Sequence, residues 1–168
     1  MESATGASAR GTDPAATLSR ASAAKLRVRV SGEHFDGPPE FRILVDGRQE
    51  GGLFTVTADF RKGEWQEIAL TVQCGRAGPK SVDIEYLNDY SGGSWQTDRN
   101  LLVDYLEVDG FRFTADDADY ERHWQEAIRG QQRMAWGGRL VFHTRRGHQR
   151  IACAARSGSS SASSSSST

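Results

Sequence analysis

Apolar residues recur at every second position along most of this chain, which is the period of a β-strand with one buried face. Residues 25–30 alternate basic and apolar side chains, and residues 41–45 alternate in the same way before Asp46-Gly47, a pair typical of a tight β-hairpin. Further predicted strands cover 54–58, 65–72, 81–87, 101–108 and 139–143. The side chains expected to face the core are Leu26, Val28, Val30, Phe41, Ile43, Val45, Ile68, Leu70, Val72, Val82, Ile84 and Tyr86.

Gly, Pro, Asn and Asp clusters separate these short segments. The pattern therefore predicts an all-β fold, an antiparallel β-sandwich of about seven or more strands with a jelly-roll-like arrangement. Only residues 115–129 have a helical period, with Tyr120, Trp124 and Ile128 on one stripe. We expect a short helix or a loop there, held against the sandwich by Trp124.

Composition divides the chain of 168 residues into three parts. Residues 1–24 are mostly Ala, Ser, Thr and Gly with cancelling charges, and such a segment cannot bury a core. Residues 145–168 carry four arginines and no acid, and end in a serine-rich stretch typical of a linker. Since the formal net charge of the whole chain is -1, residues 25–144 carry -5. We expect one acidic domain over 25–144 between two disordered ends.

No run of about 18 apolar residues is present, so the sequence predicts no membrane span. The N-terminal residues also lack the apolar stretch of a secretion signal. The chain is then either cytosolic or one module of a longer secreted protein, and the serine-rich linker favours the module. The four arginines of the tail lack aromatic partners, which indicates a solvated tail and no nucleic-acid binding.

Two cysteines are present, Cys74 beside a turn glycine and Cys153 in the basic tail. A bridge between them would join the tail to the domain. Neither has a metal-ligand partner at C-x-x-C spacing, and two unpaired thiols are the expectation here.

Known catalytic motifs are absent from the sequence: there is no nucleophile elbow, no His-Glu-x-x-His and no phosphate loop. The unusual segment is 87–101, which joins two apolar strands yet contains two Asp, two Asn, two Gly, a Tyr and a Trp. Calcium prefers carboxylate, amide and carbonyl oxygens held in a bent loop, and this segment can supply them. Alternatively, the segment is a turn in which Asn and Asp cap their own backbone and Trp95 covers the core edge.

A third carboxylate joins this segment if the first strand pairs antiparallel with 101–108. Such pairing would bring Glu33 toward Asp98 and Asn100. Like charges placed together repel, and a cation would neutralise them. A second acidic segment, 117–121, fails the EF-hand pattern because Arg122 stands where glycine is needed, so we do not expect calcium there.

Four sequence features together resemble a known family. They are Gly32-Glu33-His34, the hairpin 41–47, the strand end Leu87-Asn88-Asp89, and Asp98-Arg99-Asn100-Leu101 running on to Gly110. They resemble the calcium-dependent xylan-binding carbohydrate-binding modules of family 60 and its permuted relative, family 36. The resemblance covers about residues 25–110, and its most specific part pairs the Asn-Asp strand end with the Asp-Arg-Asn-Leu strand start.

The resemblance implies a calcium ion at a loop edge of the sandwich, with open positions filled by neighbouring sugar hydroxyls. Carried over, the metal ligands are Glu33, Asp89 and Asp98, with Asn100 as a further candidate. Trp95 or Tyr90 would lie against the sugar ring, so the carbohydrate-binding set is Tyr90, Asp89, Asp98 and Trp95. The implied protein is extracellular, non-catalytic and monomeric, and it directs an attached enzyme to xylan, galactan or β-glucan.

Two other functions fit the same residues. One is a structural or protein-interaction sandwich in which calcium only stabilises the loop. The other is a small polysaccharide hydrolase using two of Glu33, Asp36, Asp89 and Asp98 as acid and base.

Overall fold

The computed structural model describes residues 22–75 and 77–144. It is built almost entirely of β-strands joined by turns and three short 3-10 turns. In chain order the strands are β1 (Ser22–Glu33), β2 (Glu40–Val45), β3 (Arg48–Thr55), β4 (Gln66–Cys74), β5 (Ser81–Tyr86), β6 (Tyr90–Ser91), β7 (Asp98–Val108), β8 (Phe111–Thr114), β9 (Asp119–Arg122), β10 (Ile128–Arg129), β11 (Arg133–Met134) and β12 (Gly138–His143). The 3-10 turns are Phe60–Lys62, Trp95–Thr97 and Ala115–Asp117.

Two antiparallel sheets form the predicted sandwich. The first has the order β11-β7-β1-β4, with β6 and β8 also paired to β7. The second has the order β10-β9-β12-β5-β2-β3. Their facing sides supply one core, as the alternating pattern requires. The predicted all-β sandwich is therefore confirmed.

The predicted core positions face inward as expected. In β1 and β5, all the predicted core residues are at most 2% exposed. Ile68 and Leu70 of β4 are partly buried and pack against the core. The predicted hairpin joins β2 to β3 through Asp46 and Gly47, whose φ angles of 50° and 78° are left-handed. This is the backbone that a two-residue hairpin with the twist of its strands demands.

The strand that follows this hairpin begins earlier than the sequence predicted. The expected strand at 54–58 is replaced by β3, which covers Arg48–Thr55 and includes Gly51 and Gly52. Its side chains are mostly exposed, since β3 lies at the edge of its sheet. Backbone pairing with β2 holds it there, and the hydrophobic pattern does not detect pairing without burial.

The pairing of β1 with β7 is the antiparallel one that the sequence predicted. Its register shifts by one residue between Arg29 and Val30, so that two residues of β7 oppose one of β1. Such a bulge changes which residues face the core. In β7, Leu106 and Val108 are buried C-terminal to the bulge, and Leu101 and Val103 are buried N-terminal to it. After the shift, Glu33 lies opposite Asn100.

The expected helical segment at 115–129 is not helical. Only the 3-10 turn at Ala115–Asp117 is present, followed by the short hairpin of β9 and β10. Tyr120 and Ile128 lie on one side because they face each other across this hairpin. Trp124 sits at its turn, fully exposed, so the prediction that Trp124 holds the segment against the sandwich is wrong. Tyr120, with no exposed surface, does so instead.

Two further expectations are revised. Cys74 is disulfide-bonded, so the prediction of unpaired thiols is wrong for this residue; Cys153 lies outside the described residues. The first strand begins at Ser22, three residues inside the segment expected to be disordered. The rest of that segment and residues 145–168 also lie outside the described part of the chain. Residues 22–75 and 77–144 contain no helix with the length and hydrophobicity of a membrane span.

A carboxylate lies almost buried in the middle of the second sheet. Asp83 of β5 is 5% exposed, and its Oδ1 has no hydrogen-bond partner among the described residues. Its nearest cation is Arg139, at 3.7 Å from Oδ2, and Arg139 also pairs at 2.5 Å with Glu121. Burial raises the pKa of Asp83, and the charge of Arg139 only partly opposes this effect. The ionised form therefore destabilises the fold.

We expect Asp83→Asn to raise the free energy of unfolding at neutral pH. A carboxyl whose folded pKa is raised stabilises the fold below its unfolded pKa, about 3.9, and that stabilisation is lost as pH rises through the folded pKa. The gain from the substitution should therefore shrink as pH falls toward about 4. Thermal unfolding of both proteins at several pH values measures this gain in stability. Glu85→Gln on the same strand is the control, because Glu85 pairs with Arg42. A lower melting temperature of Asp83→Asn at neutral pH would contradict the prediction.

Candidate functional site

The predicted site residues lie at one end of the sandwich, where the chain crosses from one sheet to the other. The segment 87–97 leaves β5 in the second sheet and enters β7 in the first. Asp98 and Asn100 begin β7, and Glu33 ends β1 beside them. The loop 87–97, the start of β7 and the end of β1 thus meet at one edge of the sandwich.

The crossing segment is a closed hairpin. Ser91 pairs with Asp98, and the Gly92 amide donates to the Thr97 carbonyl at 2.8 Å. A Cβ on Gly92 would lie 2.7 Å from that carbonyl oxygen, so only glycine fits there. Gly93, with φ of 85°, turns the chain back toward Trp95. The loop is therefore shaped by its own backbone contacts.

Two carboxylates interact across this hairpin. Burial raises the pKa of Asp89, and the negative charge of Asp98 raises it further. Backbone amides of Gly137 and Tyr90 donate to the Asp89 carboxylate and oppose the shift. Asp89 and Asp98 thus form a site of negative charge that a cation would stabilise.

Unpartnered oxygens lie beside these carboxylates. Asp98 Oδ1 and Asn100 Oδ1 are buried, and neither has a hydrogen-bond partner within the described residues. The Asn100 amide nitrogen donates to Glu33 Oε2 at 2.6 Å and to Asp98 Oδ2 at 3.3 Å. Buried oxygens without partners are costly. Carboxylate and amide oxygens are also the donors that calcium prefers, so the donor set fits this cation.

Glu33 takes a different part in the cluster. It is 5% exposed, and its Oε1 lies 2.7 Å from Arg133 of β11. Its second oxygen accepts from Asn100. Both oxygens are thus engaged by protein groups, an arrangement that fixes Asn100 and Asp98 in place. Its role as a metal ligand stays a prediction.

Carboxylates alone do not complete a metal site here. Over residues 22–75 and 77–144, no group of three or more His, Cys, Asp or Glu side chains is placed to hold a metal ion. A calcium site at this edge would need the amide oxygen of Asn100 or backbone carbonyls in addition to Asp89 and Asp98. This matches the chemistry of calcium, which takes six to eight oxygens of mixed kinds.

The two predicted aromatic residues, Trp95 and Tyr90, differ in their accessibility to a ligand. Trp95 is 69% exposed at the tip of the hairpin. Tyr90 is partly exposed, but its ring stacks on Phe35 at 5.6 Å and lies 5.8 Å from the Arg99 guanidinium carbon. The indole of Trp95 is therefore the more accessible of the two surfaces for a ligand.

Sequence reasoning missed Arg61, which holds the tip of the loop. Its Nη2 lies 3.2, 3.4 and 3.5 Å from the carbonyl oxygens of Trp95, Gln96 and Asp98, and its Nη1 lies 3.4 Å from that of His34. These carbonyls point toward one positive group, so the Arg61 guanidinium offsets their partial negative charges and holds the tip together. Arg61 lies 34 or more residues from this tip, and no pattern in the sequence connects them.

Asn88 and Arg99 also proved to be structural. Asn88 accepts from the Glu40 amide at 2.7 Å and donates to the Pro38 carbonyl at 3.0 Å. The Arg99 guanidinium donates to the Asp36 carbonyl at 2.8 Å, and the Arg99 carbonyl accepts from the Tyr86 hydroxyl at 2.6 Å. These bonds tie the site to the loop that follows β1.

An antiparallel sandwich with hard oxygen donors and an exposed indole at one loop edge defines a class, the carbohydrate-binding β-sandwich module. The sequence model of CBM60, described as a Ca-dependent carbohydrate-binding module that is xylan-binding, matches residues 25–123. The chain belongs to this family, which confirms the resemblance found in its motifs. The matched range includes all six predicted site residues and ends at His123, immediately before Trp124.

Solved structures agree with this assignment. The structure of vCBM60 in complex with galactobiose is 18% identical, covers 71% of this chain and 97% of its own, and superposes with a TM-score of 0.52. The selenomethionine form of vCBM60 is 19% identical, covers 71% of this chain and 90% of its own, and also superposes with a TM-score of 0.52. It is described as showing that circular permutation provides an evolutionary link between two families of calcium-dependent carbohydrate-binding modules. At such identities the likeness shows a common fold. No curated protein matches the chain.

We expect Glu33→Gln to lower the melting temperature measured in a chelator. Loss of the Glu33 charge leaves Arg133 without its buried partner and weakens the bond to Asn100, and breaking a buried pair costs about 3–5 kcal/mol at most. Arg133 is itself half exposed, so the loss should lie below that range. An unchanged metal-free melting temperature together with weaker calcium binding would show that Glu33 is a ligand and not a support.

We expect Arg61→Ala to loosen the loop tip without unfolding the sandwich. The exposed guanidinium is bonded to the carbonyls of Trp95, Gln96 and Asp98, so its removal should speed amide hydrogen exchange in 92–98. Lys62→Ala, which removes the neighbouring exposed charge, is the control. Equal exchange in both variants would show that Arg61 does not hold the loop.

Proposed function

We propose that this chain is a non-catalytic module that binds xylan in a calcium-dependent manner. The observation that carries the proposal is the pair of buried, unpartnered oxygens of Asp98 and Asn100 beside the Asp89 carboxylate. Membership of a family described as calcium-dependent and xylan-binding supports it independently.

Asp89, Asp98 and Asn100 are the residues that would hold the calcium ion, with Glu33 as a ligand or as their support. Calcium supplies open coordination positions that vicinal sugar hydroxyls can fill. The chain's own groups define where this happens: the Gly137 amide orients Asp89, and the Glu33 carboxylate orients Asn100. Direct hydrogen bonds to a well-hydrated sugar contribute only about 1 kcal/mol each, so a metal contact adds both affinity and geometric selectivity.

The aromatic side chains would contact the ring of the bound sugar. Trp95 offers the exposed surface, and Tyr90, stacked on Phe35, offers an edge. Vicinal hydroxyls occur in xylan, galactan and β-glucan, and the solved relative vCBM60 holds galactobiose. Xylan is the ligand we propose first because the family description names it. Each sugar would bind weakly, and several contacts along a polymer would strengthen binding.

The module is proposed to act outside the cell as a monomer attached to a larger hydrolase or esterase. Glu33, paired with Arg133 and Asn100, suits a residue that supports a binding site.

Affinity electrophoresis in a xylan-containing gel tests the proposal. The protein should be retarded in the presence of calcium, and a chelator, Asp89→Ala or Asp98→Ala should abolish the retardation. Calcium should also raise the melting temperature, by the equivalent of about 2.7 kcal/mol when its concentration is about 100 times Kd. Asp116→Ala, which removes an exposed acid on the turn Ala115–Asp117, is the control and should behave as the unmodified protein.

Two results would contradict the proposal. Stabilisation by calcium with no retardation by any polysaccharide would indicate a structural calcium site. Release of reducing sugar from xylan, lost in Glu33→Gln, would indicate a hydrolase.

A further inference from the structure

A fully exposed tryptophan lies just beyond the residues that match the family. Trp124 occupies the turn between β9 and β10, and its φ of 61° is left-handed. Large side chains seldom adopt this backbone, and such strain is found most often at functional positions. A solvent-exposed indole in a strained turn stabilises nothing in the fold, so a ligand is the natural reason for its placement.

The turn that carries Trp124 is fixed by bonds within it. Arg122 Nη2 donates to the Glu126 carbonyl at 2.9 Å, and the Arg122 guanidinium carbon lies 5.4 Å from the centre of the Trp136 ring. The Trp136 amide donates to the hydroxyl of buried Tyr120 at 3.1 Å, and that hydroxyl donates to the Trp136 carbonyl. Burial raises the pKa of Tyr120 to about 12, so its hydroxyl remains a donor at neutral pH. The turn is thus attached to the core.

A pocket lies beside this indole. Its volume is about 380 Å³, within the range of small-molecule sites, and its lining combines the indole with polar side chains. The lining residues are Glu121, Arg122, His123, Trp124 and Arg139. An apolar ring face next to several hydrogen-bonding groups is suited to a sugar ring, which has apolar faces and a polar rim.

The pocket is adjacent to the site at Asp89. The His123 amide donates to the Gly137 carbonyl at 3.1 Å, and the Gly137 amide donates to the Asp89 carboxylate. A Cβ on Gly137 would lie 3.1 Å from His123 Nδ1 and 3.6 Å from Asp89 Cβ. One glycine therefore separates a residue of the pocket from a proposed calcium ligand.

We propose that this pocket is a second sugar subsite, in which Trp124 stacks against a residue further along the polysaccharide chain held at Asp89 and Asp98, beyond the reach of a disaccharide. The proposal rests on the proposed function, because it identifies the ligand as an extended chain and not a single sugar. It predicts that affinity rises with oligosaccharide length and that Trp124 carries this rise.

Titration calorimetry with xylobiose and xylohexaose in calcium-containing buffer tests the subsite. Trp124→Asn is the test variant, because asparagine tolerates the left-handed backbone and removes only the ring. We expect about three- to tenfold weaker binding of xylohexaose, unchanged binding of xylobiose and an unchanged response to chelator. Trp124→Phe should recover part of the loss. Phe111→Ala, an exposed aromatic of β8 at the opposite end of β7, is the matched control and should bind as the unmodified protein.

The outcomes separate this proposal from the one on which it rests. Calcium-dependent xylohexaose binding that is equal in Trp124→Asn and the unmodified protein would overturn the subsite and leave the proposed function standing. Equal weakening of both ligands in Trp124→Asn would also overturn it, since Trp124 would then act on the first site. If the unmodified protein binds neither oligosaccharide, both proposals are wrong.

Discussion

The one-residue register shift between β1 and β7 is the constraint on which the site depends. Up to Arg29, the pairing of β1 with β7 places Leu106 and Val108 in the core. From Val30 onward, Leu101 and Val103 take the core positions. Without the extra residue, Glu33 would lie opposite Leu101 and its carboxylate would meet no amide. With the shift it lies opposite Asn100. The bulge thus reconciles a continuous core with a polar strand end.

The polar cluster at this edge is costly for the folded protein. Asp89 and Asp98 repel each other, and the buried oxygens of Asp98 and Asn100 lack partners among the described residues. Sandwich packing elsewhere must offset these costs, because the cluster contributes little stability of its own. A bound cation would remove both costs together. Under the proposed function, these unfavourable groups would become favourable once the ion is present.

The edge extends from the crossing hairpin to the start of β12. Arg61 holds the carbonyls of the hairpin tip from one side, and the Gly137 amide holds Asp89 from the other. The Gly137 carbonyl accepts a hydrogen bond from the His123 amide, next to the turn that carries Trp124. Residues far apart in the sequence therefore meet at this edge, where Asp89 is linked through Gly137 to His123.

The sequence by itself determined the sandwich, its core faces, the hairpin at Asp46-Gly47 and the approach of Glu33 to Asn100, because burial and turn chemistry leave local patterns. A bulge was also readable in principle, since the apolar positions of β7 change from odd to even. Only the tertiary structure revealed the exposed edge strand β3, the support from Arg61 and the exposure of Trp124. Backbone pairing, bonds to carbonyl oxygens and placement at a turn depend on which segments meet in space, and local patterns of burial do not record such meetings.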